Sequence, residues 1–179
     1  MNTQFKKNCL MEIYTECDES FLVGFYLSSF DEYSLFHLLD EQGKIDGIYL
    51  IKNKFIKNTN YETEYLEKIN LYAEFWKINS DKNIFNIGLK QKNISNIGDI
   101  LKYIKENKII SSFKINKKKY IITGYIKSIN KTNIEVQEID LETAKEFETT
   151  SYFLKDNILL IEIDSVNNRL LDYAHLKNH

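Results

Sequence analysis

The reading of the fold turns on two stretches of the chain. The first is Phe21-Leu22-Val23-Gly24-Phe25-Tyr26-Leu27-Ser28-Ser29-Phe30 and the second is Ile121-Ile122-Thr123-Gly124-Tyr125-Ile126-Lys127-Ser128-Ile129. Both are long runs rich in β-branched and aromatic residues, the composition of a strand. Each has one glycine near its middle, and a glycine inside a strand marks a bulge or a sharp bend. Each ends in a polar turn, Asp31-Glu32 in one and Asn130-Lys131-Thr132-Asn133 in the other. The two stretches also keep register. Gly24 and Gly124, Ser28 and Ser128, Leu39 and Ile139, and Asp40 and Asp140 are each 100 residues apart. Beyond Asp140 the offset grows by three to five residues, so that Tyr49-Leu50-Ile51-Lys52 meets Tyr152-Phe153-Leu154-Lys155. The chain therefore reads as an internal repeat.

Working outward, the first half holds further strand patterns at residues 9–15, 33–39 and 48–51, with a short one starting at Phe55-Ile56. Turns at Asp18-Glu19-Ser20 and at residues 40–44 separate them. Short strands at this spacing suggest a small antiparallel barrel. Residues 62–76 change period: Tyr65, Leu66, Ile69, Tyr72, Ala73 and Trp76 recur every three or four residues, an amphipathic helix. Residues 77–93 are polar and read as a connector. Ile94, Ile97, Leu101 and Ile104 then form a second helical stripe, with Ser95 or Asn96 as N-cap and Asn107 as the stop. Strands return at 109–115, 120–129 and 134–139, and a polar loop from Asp140 leads to Tyr152-Phe153-Leu154 and then to a strand at 158–163. A short helix over 168–176 closes the pattern.

The chain has 179 residues, 43% of them hydrophobic, no proline, and one arginine against 23 lysines. The apolar share is enough for a packed core, which excludes a wholly disordered chain. The Ile, Asn and Lys bias is that of an AT-rich coding sequence, as in a low-GC bacterium. No apolar signal core stands at the N-terminus and no window approaches a membrane span, so a cytoplasmic location is expected. The net charge of −2 conceals an uneven distribution. Residues 1–81 carry 8 lysines against 14 acids, residues 82–119 carry 10 against 2, and residues 120–179 carry 6 basic groups against 10 acids.

Little here points to catalysis. Nucleotide-binding glycine motifs, HExxH and GxSxG are missing. Cys9 and Cys17 match no zinc spacing and read as reduced, partly buried thiols. His37 falls inside a strand, and His175 and His179 read as surface residues. The chain is expected to have no catalytic residues, no cofactor and no metal. The best candidate site is the basic middle. It comprises Lys102, Lys105 and Lys108 near one helical face, and Lys114, Lys117, Lys118 and Lys119 with Tyr120 around the following hairpin. Lysines interleaved with aromatics can hold a single-stranded backbone and stack its bases. A solvated face in a lysine-rich chain gives the same pattern. With Arg169 outside this middle, any phosphate contact there relies on lysine, a point charge without the bidentate fork.

The stretch Val23 to Tyr33, a bent strand carrying Gly24 with Asp31 at the next turn, resembles the first signature of the Sm-like family. The second half is similar from the helix at 97–107 through the strands at 109–115 and 120–129. The resemblance covers most of residues 9–60 and 94–163 and implies a helix and five bent strands closing into a small barrel. It implies less about function. The family's uridine pocket uses an Asn shortly after the turn Asp and an Arg-Gly pair. Here Leu35 stands four residues beyond Asp31, and Lys52-Asn53 and Lys155-Asp156 replace Arg-Gly. That pocket transfers poorly.

The expected fold is mainly β with α: two tandem small antiparallel Sm-like or SH3-like barrels joined by a helical connector. The divisions are 1–76, 77–93 and 94–179. The expected role is a non-catalytic binding or regulatory module that engages a protein partner, or its own copies, through barrel edges or acidic faces. The alternative is RNA or single-stranded nucleic acid on the lysine-rich middle. No membrane partner is expected.

Overall fold

The computed structural model describes residues 5–16, 20–79, 94–116 and 118–177. The chain divides into two compact units, Met1–Asn93 and Ile94–His179. The first contains β1 (Leu10–Thr15), β2 (Phe21–Phe30), β3 (Tyr33–Leu39), β4 (Ile45–Lys52), a single 3-10 turn at Asn53–Phe55, β5 (Ile56–Asn60) and α1 (Glu64–Asn79). The second contains α2 (Ile97–Glu106), β6 (Ser111–Ile115), β7 (Ile121–Ile129), β8 (Asn133–Ile139), β9 (Glu146–Leu154), a 3-10 turn at Lys155–Asn157, β10 (Ile158–Ser165) and α3 (Val166–Lys177).

The ten described strands form open antiparallel sheet. Their order is β5-β1-β2-β3-β4 in the first unit and β10-β6-β7-β8-β9 in the second. This corrects the expected pair of closed Sm-like or SH3-like barrels. Closure would require β4 to pair with β5, and β9 with β10; neither ladder is present among the described residues. Bending a sheet is not enough to close it, because strand tilt and stagger must also match around the ring. β5 has only five residues, and its rungs run to β1, from Glu12 opposite Asn60 to Thr15 opposite Ile56. The expected helical connector is corrected in part: α1 runs on to Asn79, and residues 80–93 lie outside the described residues.

The repeat is present in the ladders. In β2 the register against β3 shifts between Tyr26 and Ser28, and in β7 the register against β8 shifts between Ile126 and Ser128. The same bulge thus follows the same glycine, 100 residues apart. At the next turn Asp40 Oδ1 accepts the amides of Gln42 and Lys44, and Asp140 Oδ1 accepts those of Glu142 and Thr143. Farther on, the offset settles at 102. The Asn53 amide bonds the Glu32 carbonyl, and the Lys155 amide bonds the Thr132 carbonyl. Thr63 Oγ1 caps α1 by accepting the Leu66 amide, and Ser165 Oγ caps α3 by accepting the Asn168 amide. The offset of three to five read from sequence is therefore too large, and Lys52 corresponds to Leu154.

The glycines are fixed by close approach of backbone. A Cβ on Gly24 would lie 2.4 Å from the His37 carbonyl oxygen, and one on Gly124 only 1.9 Å from that of Gln137. Gly43 (φ +73°) lies against α1, where a Cβ would meet the Ala73 amide at 2.7 Å. Trp76 Nε1 donates to the Gln42 carbonyl at 2.8 Å, which fastens the β3–β4 turn to the helix.

In the first unit Met11, Ile13, Phe36, Leu50 and Ile51 are buried, and Leu66 and Ile69 of α1 cover Val23 with Leu10, Phe21 and Leu39 around them. In the second, Ile100, Leu101 and Ile104 of α2 pack over β7, and Phe113, Ile122, Val136 and Ile161 fill the sheet interior. The helix α2 starts in a capping box. Asn96 Oδ1 accepts the Asp99 amide, and the Asp99 carboxylate accepts the Asn96 amide. Asn96→Ala is expected to lower stability by about 1 kcal/mol, read from the urea midpoint.

Bonds from the Ser95 amide and hydroxyl hold the Asp99 carboxyl below its ordinary pKa of 3.8. The Thr143 hydroxyl and amide do the same for Asp140, and the Tyr152 and Ser128 hydroxyls for Glu135. Each depressed value gives stability that is complete above the ordinary carboxylate pKa and is lost as pH falls through the folded value. Melting temperature is thus expected to hold from neutrality to about pH 5 and to decline below about pH 4, modestly because all three carboxylates face solvent. A melting curve flat from pH 6 to pH 2.5 contradicts this.

Candidate functional site

The structure separates the lysine-rich middle into two groups. Lys102 and Lys105 lie on α2, and Lys108 follows just after it, at the head of β6; all three are exposed. Lys118, Lys119 and Tyr120 lie in the β6–β7 turn, at the other end of that strand, while Lys117 lies outside the described residues. Five residues of strand set the groups roughly 16 Å apart or more. Lys114 is half-buried within β6. Lys102 is ion-paired to Glu106 at 3.6 Å. The turn is the more compact group: the Lys118 ammonium lies 5.1 Å from the centre of the Tyr120 ring, and Tyr120 is 57% exposed.

In the first unit Lys52 and Asn53, the pair compared above with Arg-Gly, are engaged internally. Lys52 is buried, with its ammonium 2.8 Å from Glu32 Oε1 and 5.3 Å from the Tyr33 ring centre. Asn53 Oδ1 accepts the Ser34 hydroxyl at 2.6 Å, Ser34 bonds Ser29, and Ser29 accepts the Tyr26 hydroxyl. This hydroxyl chain ties β2, β3 and the 3-10 turn together. In the second unit Leu154 stands where Lys52 does, and the buried basic group has no counterpart there.

Other polar clusters are also satisfied from within. Buried Glu12 accepts Thr63 Oγ1 at 2.6 Å, Tyr14 at 2.9 Å and Asn60 at 3.3 Å. At the matching place Ser112 bonds Thr123 and Asn168. His175 was expected at the surface and is instead buried, with Nδ1 2.9 Å from the Ala144 carbonyl and Nε2 3.8 Å from Glu146. The reason is that the face of α3 bearing His175 turns toward the β8–β9 turn, which a sequence stripe of leucines does not reveal. Beside it the Tyr125 hydroxyl donates to Asp172 at 2.5 Å, and burial first and that carboxylate second raise its pKa well above the usual range. His37 lies in β3 opposite Phe25 and Ile48. His179 and Cys17 lie outside the described residues.

A cleft of about 220 Å³ is lined by Lys108, Ile110, Asp164, Asn168, Arg169 and Asp172. That is below the range of ordinary ligand pockets. Among the described residues no three His, Cys, Asp or Glu side chains gather as a metal site, and no helix is long and apolar enough to cross a membrane. Cys9 is a free thiol.

The sequence places only the end of β9, at Tyr152-Phe153-Leu154; the strand begins six residues earlier, at Glu146, in the stretch expected to be a polar loop. This strand ends the sheet order of the second unit. Phe147, Tyr152 and Leu154 on it are exposed. No protein-family model, no curated protein and no solved structure matches this chain.

Proposed function

We propose that the protein is a non-catalytic binding module whose ligand is another protein, taken up along the sheet edge at β9. One observation carries this reading. β9 is a nine-residue edge strand without proline that bears exposed Phe147, Tyr152 and Leu154. An edge of this kind is a template for a partner strand, with main-chain bonds giving affinity and alternate side chains giving selectivity. The acidic residues Glu146 and Glu148 on the strand, together with Glu142 before it, favour a partner segment carrying basic residues. A cytoplasmic location belongs to the same proposal, as does an Sm-like ancestry of the repeat, which the bulged glycine strand supports.

A photoreactive phenylalanine analogue at Tyr152, irradiated in cells of low-GC bacteria, tests the reading. Protein adducts at that position support it. Adducts that form equally well from a control position on α2, or none at Tyr152, sink it.

The second reading is single-stranded nucleic acid at the β6–β7 turn, favoured by Lys118 lying over exposed Tyr120. Three lysines there set a limit. The slope of log affinity against log salt is expected to be no steeper than about −2. Glutamate at 118 and 119 together is expected to abolish binding of a random oligonucleotide pool. No binding at low salt removes this reading.

A further inference from the structure

The helices α1 and α3 follow the fifth strand of their units and are capped alike by Thr63 and Ser165. Each buries one face. On the opposite face each shows a second apolar stripe. On α1 it is Leu71, 64% exposed, with Phe75 and Ile78, the last 83% exposed. On α3 it is Val166, Leu170, Tyr173 and Leu176, of which Tyr173 is 64% exposed. With the offset of 102, Leu71 corresponds to Tyr173, so both units expose the same side of the same helix. Scattered surface leucines need no explanation, but two contiguous stripes at equivalent places do.

We propose that α1 of one copy packs antiparallel on α3 of a second copy, so that the chains associate head to tail. The residue spacing supports this pairing. With Leu71 set against Tyr173, the helical repeat places Ile78 against Val166, and Glu74 meets Leu170. The same register brings Glu67 level with Lys177. The charges agree with it: the acidic first turn of α1, with Glu64 and Glu67, meets the last turn of α3, which carries Lys177. Antiparallel helices also oppose their dipoles favourably. Each stripe offers roughly 400–500 Å² of apolar surface, so one contact removes about 900 Å² in total, the size of a weak, reversible interface. Two copies can satisfy the contact reciprocally, α1 on α3 and α3 on α1, in a two-fold pair, and copies joined through one contact each form rings or open chains. This surface is separate from the β9 edge and does not depend on the reading proposed above.

The test uses two variants of the full chain, Leu71→Glu and Tyr173→Glu, measured by sedimentation velocity from about 5 to 200 µM, the range that a weak interface requires. Wild type is expected to grow in mass with concentration, to a dimer or beyond. Each variant alone is expected to remain a monomer, because one half of the contact is missing in every copy. Mixed one to one, they are expected to form a dimer and nothing larger, through the intact α3 of Leu71→Glu and the intact α1 of Tyr173→Glu. Both positions are exposed, and unchanged circular dichroism confirms that the variants fold. A monomeric wild type at 200 µM overturns the proposal. So does a Tyr173→Glu variant that still dimerises alone, which is the outcome for α1–α1 contact, or a mixture that remains monomeric. If a variant proves unfolded, Ile78→Glu and Leu170→Glu repeat the same mixing experiment.

Discussion

Gly124→Ala is expected to destabilise the protein by about 3 kcal/mol or more, the largest effect of any single methyl addition here. The added carbon would lie 1.9 Å from the Gln137 carbonyl oxygen, 2.8 Å from the Gln137 carbonyl carbon and 2.9 Å from Glu138 Cα. All three atoms belong to the backbone of β8, so no side-chain rotation relieves the clash. Gly124 is paired with Glu138 in that ladder. Restoring ordinary separation requires β8 to move by more than 1 Å, which lengthens its hydrogen bonds to β7 and loosens Val136 and Ile134 beneath. Gly24→Ala is expected to be milder. One of its three nearest atoms is Leu38 Cδ2, which can rotate away, and the backbone oxygen lies farther off, at 2.4 Å. Urea unfolding followed by far-ultraviolet circular dichroism measures both. A loss below 1 kcal/mol for Gly124→Ala, or a larger loss at Gly24 than at Gly124, contradicts the strand geometry.

Those two glycines were also the most legible part of the sequence. A glycine in the middle of an aromatic, β-branched run admits few readings, and the two runs aligned without a gap through Asp40 and Asp140. Strand positions up to β4 follow from that local signal. Closure did not follow, because whether β4 meets β5 depends on stagger summed over every strand, a quantity that no single segment encodes. The resemblance to a small barrel supplied closure in place of that missing information, and the open strand order corrects it. Beyond Asp140 the alignment slipped for a related reason. Residues 146–151 are too polar to read as a strand, and the pairing partner that makes them one, β8, lies in another part of the chain. For the candidate site, exposure of Lys105, Lys108 and Lys119 was legible and their separation was not. Lysine spacing along a sequence does not reveal that β6 lies between the groups. The outer stripe of α1 was visible as Leu71, Phe75 and Ile78 at helical steps. The stripe through Leu66 and Ile69 drew the reading instead, since one buried face is all that a surface helix ordinarily needs.

Arg169→Ala is expected to cost about 2–3 kcal/mol, unusually much for a side chain that is 40% exposed. The only arginine in the chain forms a fork onto Asp164. Its Nε bonds Oδ1 at 2.6 Å and its Nη2 bonds Oδ2 at 2.6 Å, while the Asp164 side chain is only 9% exposed. Removing the guanidinium leaves a nearly buried carboxylate without its charged partner, and that desolvated charge is the main source of the loss. Partial exposure of the arginine admits water to the site and holds the effect below the 3–5 kcal/mol of a fully buried pair. Lysine is a poor replacement. It brings the charge but not two parallel donors in a plane, so Arg169→Lys is expected to recover less than half of the loss. The double change Asp164→Ala with Arg169→Ala separates pair from packing. If the penalty is the stranded carboxylate, the double variant is more stable than Arg169→Ala alone, with a coupling of about 1–2 kcal/mol. If the two losses simply add, the fork is a surface contact, and Arg169 acts through its stem packed on the end of β10.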